Sequence, residues 1–363
     1  MDTRAGPPFQ GMESGGGGGV AGDATWFPTD MNAAGTALTF ARTNRATIEA
    51  LGAIGKSRWN TGDLPKVETP LSLLEPVCEG PPPRINFVWH TAYCCSTVLT
   101  QVLDRPGCAL SLREPNILLD LVHAKRLGQL ARRESERAPD IVFRLLSRPL
   151  RDQETVTVKP APSANNLIRD AALLTRGRSL FLYSDLPSFL ISIALDGEVR
   201  RAAQRKTFYV ILADGHDQQR WNPRLVVEMS DLQIAALVWH MHIAEFHRAW
   251  PLLALNGPVA SLDCDAFLAS PELALARLDE YFGLGLGPAH VAEVMSGPLF
   301  HQHAKQPGKA FSRDDRKRLH EGIPDRLRED VAAIVAWSYD VCRTTPRALP
   351  MPNPLVPIEK AYF

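Results

Sequence analysis

The sequence predicts an α/β domain built on a doubly wound parallel sheet of about five strands, with helical additions. Short apolar runs alternate with longer amphipathic stretches through the middle of the chain, as strands and helices of such a fold do. The spacing between the apolar runs leaves room for helical crossovers, which put helices on both faces of a parallel sheet. One segment, Arg84 to Leu103, also runs as strand, short turn of small residues, then helix.

The elements follow in order. Residues 1–30 form a tail that carries the run Gly15 to Gly19 and few large apolar side chains through Asp23, so ordering it is not offset by burial. Residues 31–80 lead in, with roughly helical spacing from Ala34 to Trp59 and a Pro-rich stretch from Pro65 to Pro83. The main domain is placed at 81–343. Its strands are read at Ile85 to Trp89, Ala109 to Leu112, Thr155 to Lys159, Ser179 to Tyr183 and Val259 to Leu262. Helices are read at Ser96 to Leu103, Asn116 to about Arg132, Asn165 to Leu174, Pro187 to Leu195 and Asp231 to about Leu253. Farther on, Ser270 to Leu284 is a helix ended by Gly283, Gly297 to Phe311 is loop, and Arg313 to Val341 holds one or two helices. The run Phe208 to Ala213 fits a strand or a buried helix equally well. Residues 344–363 are a Pro-rich, extended C-terminal tail.

Composition bounds the function. Lys and Arg number 40, Asp and Glu 40, so no global field is available to capture nucleic acid or an anionic membrane. The chain shows neither an apolar run of spanning length nor a secretory signal in its first thirty residues, and a cytoplasmic location is expected. Six scattered cysteines lack the paired spacing of zinc sites and read as reduced thiols. His240, His242 and His247 lack the H-E-x-x-H spacing and are read as core or surface residues, so no metal is expected.

The segment from Arg84 to Leu103 has the architecture of an anion cradle. Amides at the start of a helix have no internal partner, and the positive end of the helix dipole favours phosphate or sulfate there. Ser96 and Thr97 add hydroxyl donors; alternatively Ser96 caps the helix with no ligand involved. The G-x-x-x-x-G-K-[ST] signature is absent, which argues against ordinary ATPase chemistry. Cys94, at the turn, is a candidate acidic thiol.

With its continuation to Asp120, this segment resembles the P-loop sulfotransferase family, whose donor loop reads P-[KR]-S-G-T-T. The resemblance implies a P-loop, nucleotide-binding fold. It also implies 3′-phosphoadenosine 5′-phosphosulfate as donor and a small-molecule or peptide hydroxyl as acceptor. On it, Ala92, Tyr93, Cys94, Cys95, Ser96 and Thr97 occupy the loop. Tyr93 then stands where the family has Lys or Arg, and Cys95 where it has glycine. Glu114, after the next strand, corresponds to the acceptor's base, or else it makes an ion pair or sits near the first turn of a helix. Lys159 matches a lysine that places positive charge by the transferring group, or is a surface lysine at a strand end. The family's histidine base falls at Ala161. Ser184 takes the place of the arginine that grips the 3′-phosphate, and Ser192 matches the family's serine or is a plain helix serine. Lys305 and Lys309, in the segment corresponding to the family's basic loop over the nucleotide, supply the missing phosphate contacts or belong to a solvated loop. A nucleotide-dependent kinase and an inactive anion-binding protein of the same fold are the competing readings.

Overall fold

The computed structural model describes residues 19–51, 61–214, 221–297, 318, 320–342 and 349–359. Its first elements are strands β1 (Trp26–Met31) and β2 (Ala37–Arg42), helix α1 (Arg45–Leu51) and strand β3 (Lys66–Pro70). The three strands form an antiparallel sheet in the order β1-β2-β3. Here the structure corrects the sequence reading twice. The expected tail through residue 30 is strand from Trp26 on, and the helical spacing from Ala34 is a strand followed by a short helix.

Burial against the rest of the chain accounts for both corrections. Phe27, Pro28, Thr29 and Met31 on β1, and Ala37, Leu38, Phe40 and Ala41 on β2, are buried, with a register shift in β1 between Pro28 and Asp30. The hairpin turn is held by Asn32, whose Oδ1 accepts from the amides of Thr36 (2.9 Å) and Ala37 (3.2 Å). Arg148 then anchors the chain ahead of β1, donating to the carbonyls of Val20, Ala21, Asp23 and Trp26. Burial pushes that guanidinium down to about 10.

After α2 (Leu71–Leu74) the main domain runs β4 (Asn86–His90), α3 (Ser96–Val102), β5 (Ala109–Arg113), α4 (Asn116–Arg126), α5 (Arg132–Leu146) and β6 (Thr155–Lys159). It continues through a 3-10 turn (Pro162–Leu167), α6 (Ile168–Leu174), β7 (Ser179–Tyr183), α7 (Leu186–Leu195), α8 (Glu198–Ala213), α9 (Pro223–Glu228) and α10 (Asp231–Ala254). It ends with β8 (Val259–Asp263), α11 (Cys264–Ala269), α12 (Pro271–Phe282), α13 (Gly287–Ser296) and α14 (Asp325–Val341). The five strands β4 to β8 form one sheet in the order β5-β6-β4-β7-β8, every pairing parallel. The doubly wound α/β class read from the sequence is the class observed.

Both faces are covered, as the crossovers require. Phe87, Trp89, Phe181 and Tyr183 join one core with Trp239 and Phe246 of α10, and Phe181 stacks on Phe246 at 4.5 Å. Val88, Leu180, Leu182 and Leu262 join the other with α3 and α12. At the amino edge the backbones approach closely: a Cβ on Gly177 would lie 2.0 Å from the Ile85 carbonyl oxygen.

One helical expectation changes, and one open assignment is resolved. The stretch read as one helix from Asn116 to about Arg132 ends at Arg126, with Gly128 at φ +62 beyond it, and α5 follows as a separate helix. Phe208 to Ala213 is helical, with Gln204, Phe208 and Ile211 buried at three- and four-residue spacing. Within Arg313 to Val341, expected to hold one or two helices, α14 runs from Asp325, Arg318, His320 and Glu321 are also helical, and half of the residues ahead of α14 lie outside the described residues. The described C-terminal residues, 349–359, were expected to be extended but follow a bent path, with Asn353 at φ 48, and are docked by an isolated bridge of Pro354 to Ser261. Ser261 of β8 donates its amide to Asn353 and accepts from the amide of Leu355, so the tail lines the sheet's outer edge.

Strand order fixes where ligands belong. The chain leaves β4 toward β5 and leaves β7 toward β8, in opposite directions from neighbouring strands. The crevice between their carboxyl ends is therefore a topological switch point, the usual ligand position of such sheets.

Candidate functional site

The loop between β4 and α3 borders that crevice. Ala92, Tyr93 and Cys95 all adopt left-handed backbone, at φ 69, 50 and 59, without a glycine among them. Each such residue costs about 1–2 kcal/mol, so surrounding contacts must hold the turn. Five of them are visible. The Ser184 Oγ donates to the Tyr93 carbonyl at 3.0 Å. The Tyr93 hydroxyl donates to Asp196 Oδ2 at 2.9 Å, and its ring packs edge-on against Phe189. The Ala92 amide donates to His90 Nδ1 at 3.1 Å, and Ser96 Oγ lies 3.2 Å from the same nitrogen.

Glu114 and Lys159, nominated separately from the sequence, meet as an ion pair between Glu114 Oε1 and Lys159 Nζ. The Lys159 side chain is 2% exposed and that of Glu114 42%, so the ammonium is buried beneath a carboxylate that reaches solvent. The backbone locks this arrangement: Glu114, at φ 52, donates its amide to the Lys159 carbonyl at 2.7 Å. The pair borders the loop, because His90 joins the carbonyl of Pro160, the residue after Lys159, to the amide of Ala92. Lys159 is thus no free strand-end lysine.

The remaining nominated residues divide. Cys94 is fully buried, and burial pushes its thiol up to about 11. The acidic-thiol reading is therefore corrected: loss of hydration outweighs what Lys159 and nearby donors contribute. Burial and the Asp196 carboxylate push the Tyr93 phenol up, so it stays a neutral donor. Cys95 precedes α3 with left-handed backbone and is half-buried. The Thr97 hydroxyl makes no hydrogen bond among the described residues, whereas Ser96 is turned toward His90.

Ser184 is turned inward: it is 0% exposed, its hydroxyl donates to the Tyr93 carbonyl, and its own carbonyl accepts from Trp239 Nε1 at 2.9 Å. Ser192 donates to the Ser188 carbonyl one turn back, as a helix serine does. Lys305 and Lys309 lie outside the described residues. Cavities of about 430 Å³, at Asn32, Glu68 and Arg137, and about 310 Å³, at Asp263, Ala266 and Val356, are both lined by residues away from this loop.

Two residues of the site carry no motif match. His90 closes the run Ile85 to His90 as a buried polar residue on the carboxyl edge, and that polar end of an apolar strand is the signal in the sequence. Asn165 donates through Nδ2 both to the His90 carbonyl at 3.1 Å and to His242 Nδ1 at 3.0 Å, a link visible only in three dimensions. His240 lies 3.0 Å from Ser338 Oγ, and burial pushes both His240 and His242 down to about 4. Among the described residues no group of three or more His, Cys, Asp or Glu is placed to hold a metal, and no helix is long and apolar enough to cross a membrane.

No protein-family model matches this sequence, and no curated protein matches it. In structure the chain is similar to the sulfotransferase domain from the curacin biosynthetic pathway, at 14% identity and a TM-score of 0.42, over 71% of this chain and 98% of that one. It is also similar to the sulfotransferase STF9 from Mycobacterium avium, at 14% identity and a TM-score of 0.40, over 73% of this chain and 78% of that one.

Proposed function

We propose that the loop from Ala92 to Thr97 is an anion cradle and that the protein transfers a sulfuryl group from 3′-phosphoadenosine 5′-phosphosulfate to a hydroxyl of a small molecule or peptide. The observation that carries this reading is the Glu114–Lys159 pair beside a pre-formed loop at the switch point of the sheet. Glu114 reaches solvent and takes the acceptor's proton as its oxygen bonds to sulfur. The bridging oxygen leaves with the electron pair. Lys159, relieved of its partner's charge as that proton arrives, offers its full charge to the sulfuryl oxygens. Thr97 donates its free hydroxyl to the bound group. The chemistry asks for positioning and electrostatics, which a fixed loop and one ion pair supply. The same reading places the protein in the cytoplasm, in keeping with its six unbridged cysteines.

A second reading, an inert anion-binding protein of this fold, is favoured by one fact: Ser184 and Tyr93 are consumed in holding the loop. Calorimetric titration with 3′,5′-adenosine bisphosphate, and separately with ATP and Mg²⁺, decides. Preference for the bisphosphate supports sulfuryl transfer, preference for ATP a kinase, and binding of neither removes the cradle. Given binding, Glu114→Gln must abolish sulfuryl transfer while keeping donor affinity; transfer at the unaltered rate would remove Glu114 from the mechanism.

A further inference from the structure

His90 is 2% exposed and ends the central strand directly beneath the loop. Its Nε2 lies 3.0 Å from the Pro160 carbonyl oxygen, which can only accept, so Nε2 carries the hydrogen. Its Nδ1 receives the Ala92 amide at 3.1 Å, which requires that nitrogen to be bare. Both bonds select one form of the ring, neutral and protonated on Nε2. Ser96 Oγ, at 3.2 Å, and Cys94 Sγ, at 4.0 Å, approach the same nitrogen and share its one lone pair with the Ala92 amide. The imidazole thus spans from the loop after β4 to the residue following Lys159 on β6, one side chain touching both halves of the site. Its own carbonyl is fixed by Asn165, which His242 holds in turn.

We propose that His90 is the positioning residue of the loop: its bare Nδ1 is the internal acceptor that keeps Ala92 and Ser96 in place, doing for a loop without glycine what backbone freedom does elsewhere. That this matters for ligand binding rests on the function proposed above; the placement of the loop does not. A short polar side chain could satisfy Ala92, as Asx turns do, but only a ring of this length also reaches Pro160. Ser96 is turned toward His90, and Thr97 is the loop hydroxyl that makes no hydrogen bond among the described residues.

Two substitutions separate the ring's two ends. His90→Asn puts an acceptor oxygen near the position of Nδ1 and loses the bond to Pro160. His90→Gln reaches toward Pro160 and leaves Ala92 without an acceptor. Amide hydrogen exchange of Ala92, followed by NMR in the full chain without ligand, is expected to stay slow in the first variant. In the second it is expected to be about tenfold faster or more, the loss of about one hydrogen bond. Equal exchange in the two variants overturns the proposal. Should the glutamine variant not fold, nitrogen-15 shifts of the histidine ring in the unaltered protein decide instead: a bare Nδ1 upholds the assignment, and a protonated Nδ1 at neutral pH overturns it. Titration with 3′,5′-adenosine bisphosphate then adds the functional readout, with affinity reduced about tenfold in the glutamine variant and within about threefold of normal in the asparagine variant. Failure of the unaltered protein to bind would remove the proposed function and leave the exchange result to judge His90.

Discussion

The Ser184 hydroxyl, at the carboxyl end of β7, donates to the Tyr93 carbonyl on the far side of the crevice, at 3.0 Å. Across the switch point, where a ligand phosphate was expected to meet Ser184, the protein instead ties its own two walls together. Ser184 itself is fully buried, and its carbonyl accepts from Trp239 Nε1. Ser184→Ala is accordingly expected to lower unfolding free energy by about 1–2 kcal/mol, the loss of a bond plus a stranded carbonyl. Urea titration measures it, and an unchanged midpoint with unchanged slope would show that the tie contributes nothing.

Removing the two halves of the Glu114–Lys159 pair should have unequal consequences. Glu114→Ala leaves a buried ammonium without its partner and is expected to destabilise by about 2–3 kcal/mol, at the low end for a buried pair because the carboxylate is half exposed. Lys159→Met leaves a carboxylate that water can reach, so about 1 kcal/mol or less is expected. Denaturant unfolding of both single variants and the double variant tests the order; a larger loss for Lys159→Met contradicts the burial asymmetry.

Cys94 gives a signature at alkaline pH. Its thiol is held near 11 in the fold, above the usual 9, so between those values the unfolded chain has lost a proton that the folded chain keeps. Stability then falls as pH rises from about 9 to about 11, by roughly 2–3 kcal/mol for this one group. Cys94→Ala should lose less stability over that window than the unaltered protein does. Native Cys94 should also resist alkylation at pH 8 and react once unfolded in urea, read by mass spectrometry of the peptide.

His240 and His242 act at the acid end with the opposite sign. Burial holds each near 4, below the ordinary 6.5, so between these values the unfolded chain binds protons that the folded chain refuses. Stability is expected to fall as pH drops through that window, by about 3 kcal/mol per histidine. His242→Gln should flatten part of the fall. Thermal unfolding from pH 7 to pH 4 reads it, and parallel curves for the two proteins would sink the assignment.

Much of the fold was legible before any coordinates. The runs at Thr155–Lys159 and Ser179–Tyr183 coincide with β6 and β7, because a strand buried on both faces is written as a local apolar run. The hairpin of β1 and β2 was not legible in the same way. Its apolar runs are short and mixed with polar residues, and what makes it a strand pair is the turn held by Asn32 and the docking of Met31 on Asp120. Helix α5 was likewise obscured, since Pro139 lies inside it and polar residues fill its first turns.

For the site, the residues themselves fixed the strand, turn and helix around Ser96 and marked Glu114 and Lys159 as charged groups at strand ends. Local composition suffices for that, because chain reversals and strand ends are short-range events. Only the packed molecule decided that Glu114 and Lys159, 45 residues apart, neutralise each other, and that Ser184 spends its hydroxyl on Tyr93, 91 residues away. A hydrogen bond depends on distance and direction in space, and parallel strands bring together residues whose spacing along the chain says nothing about either.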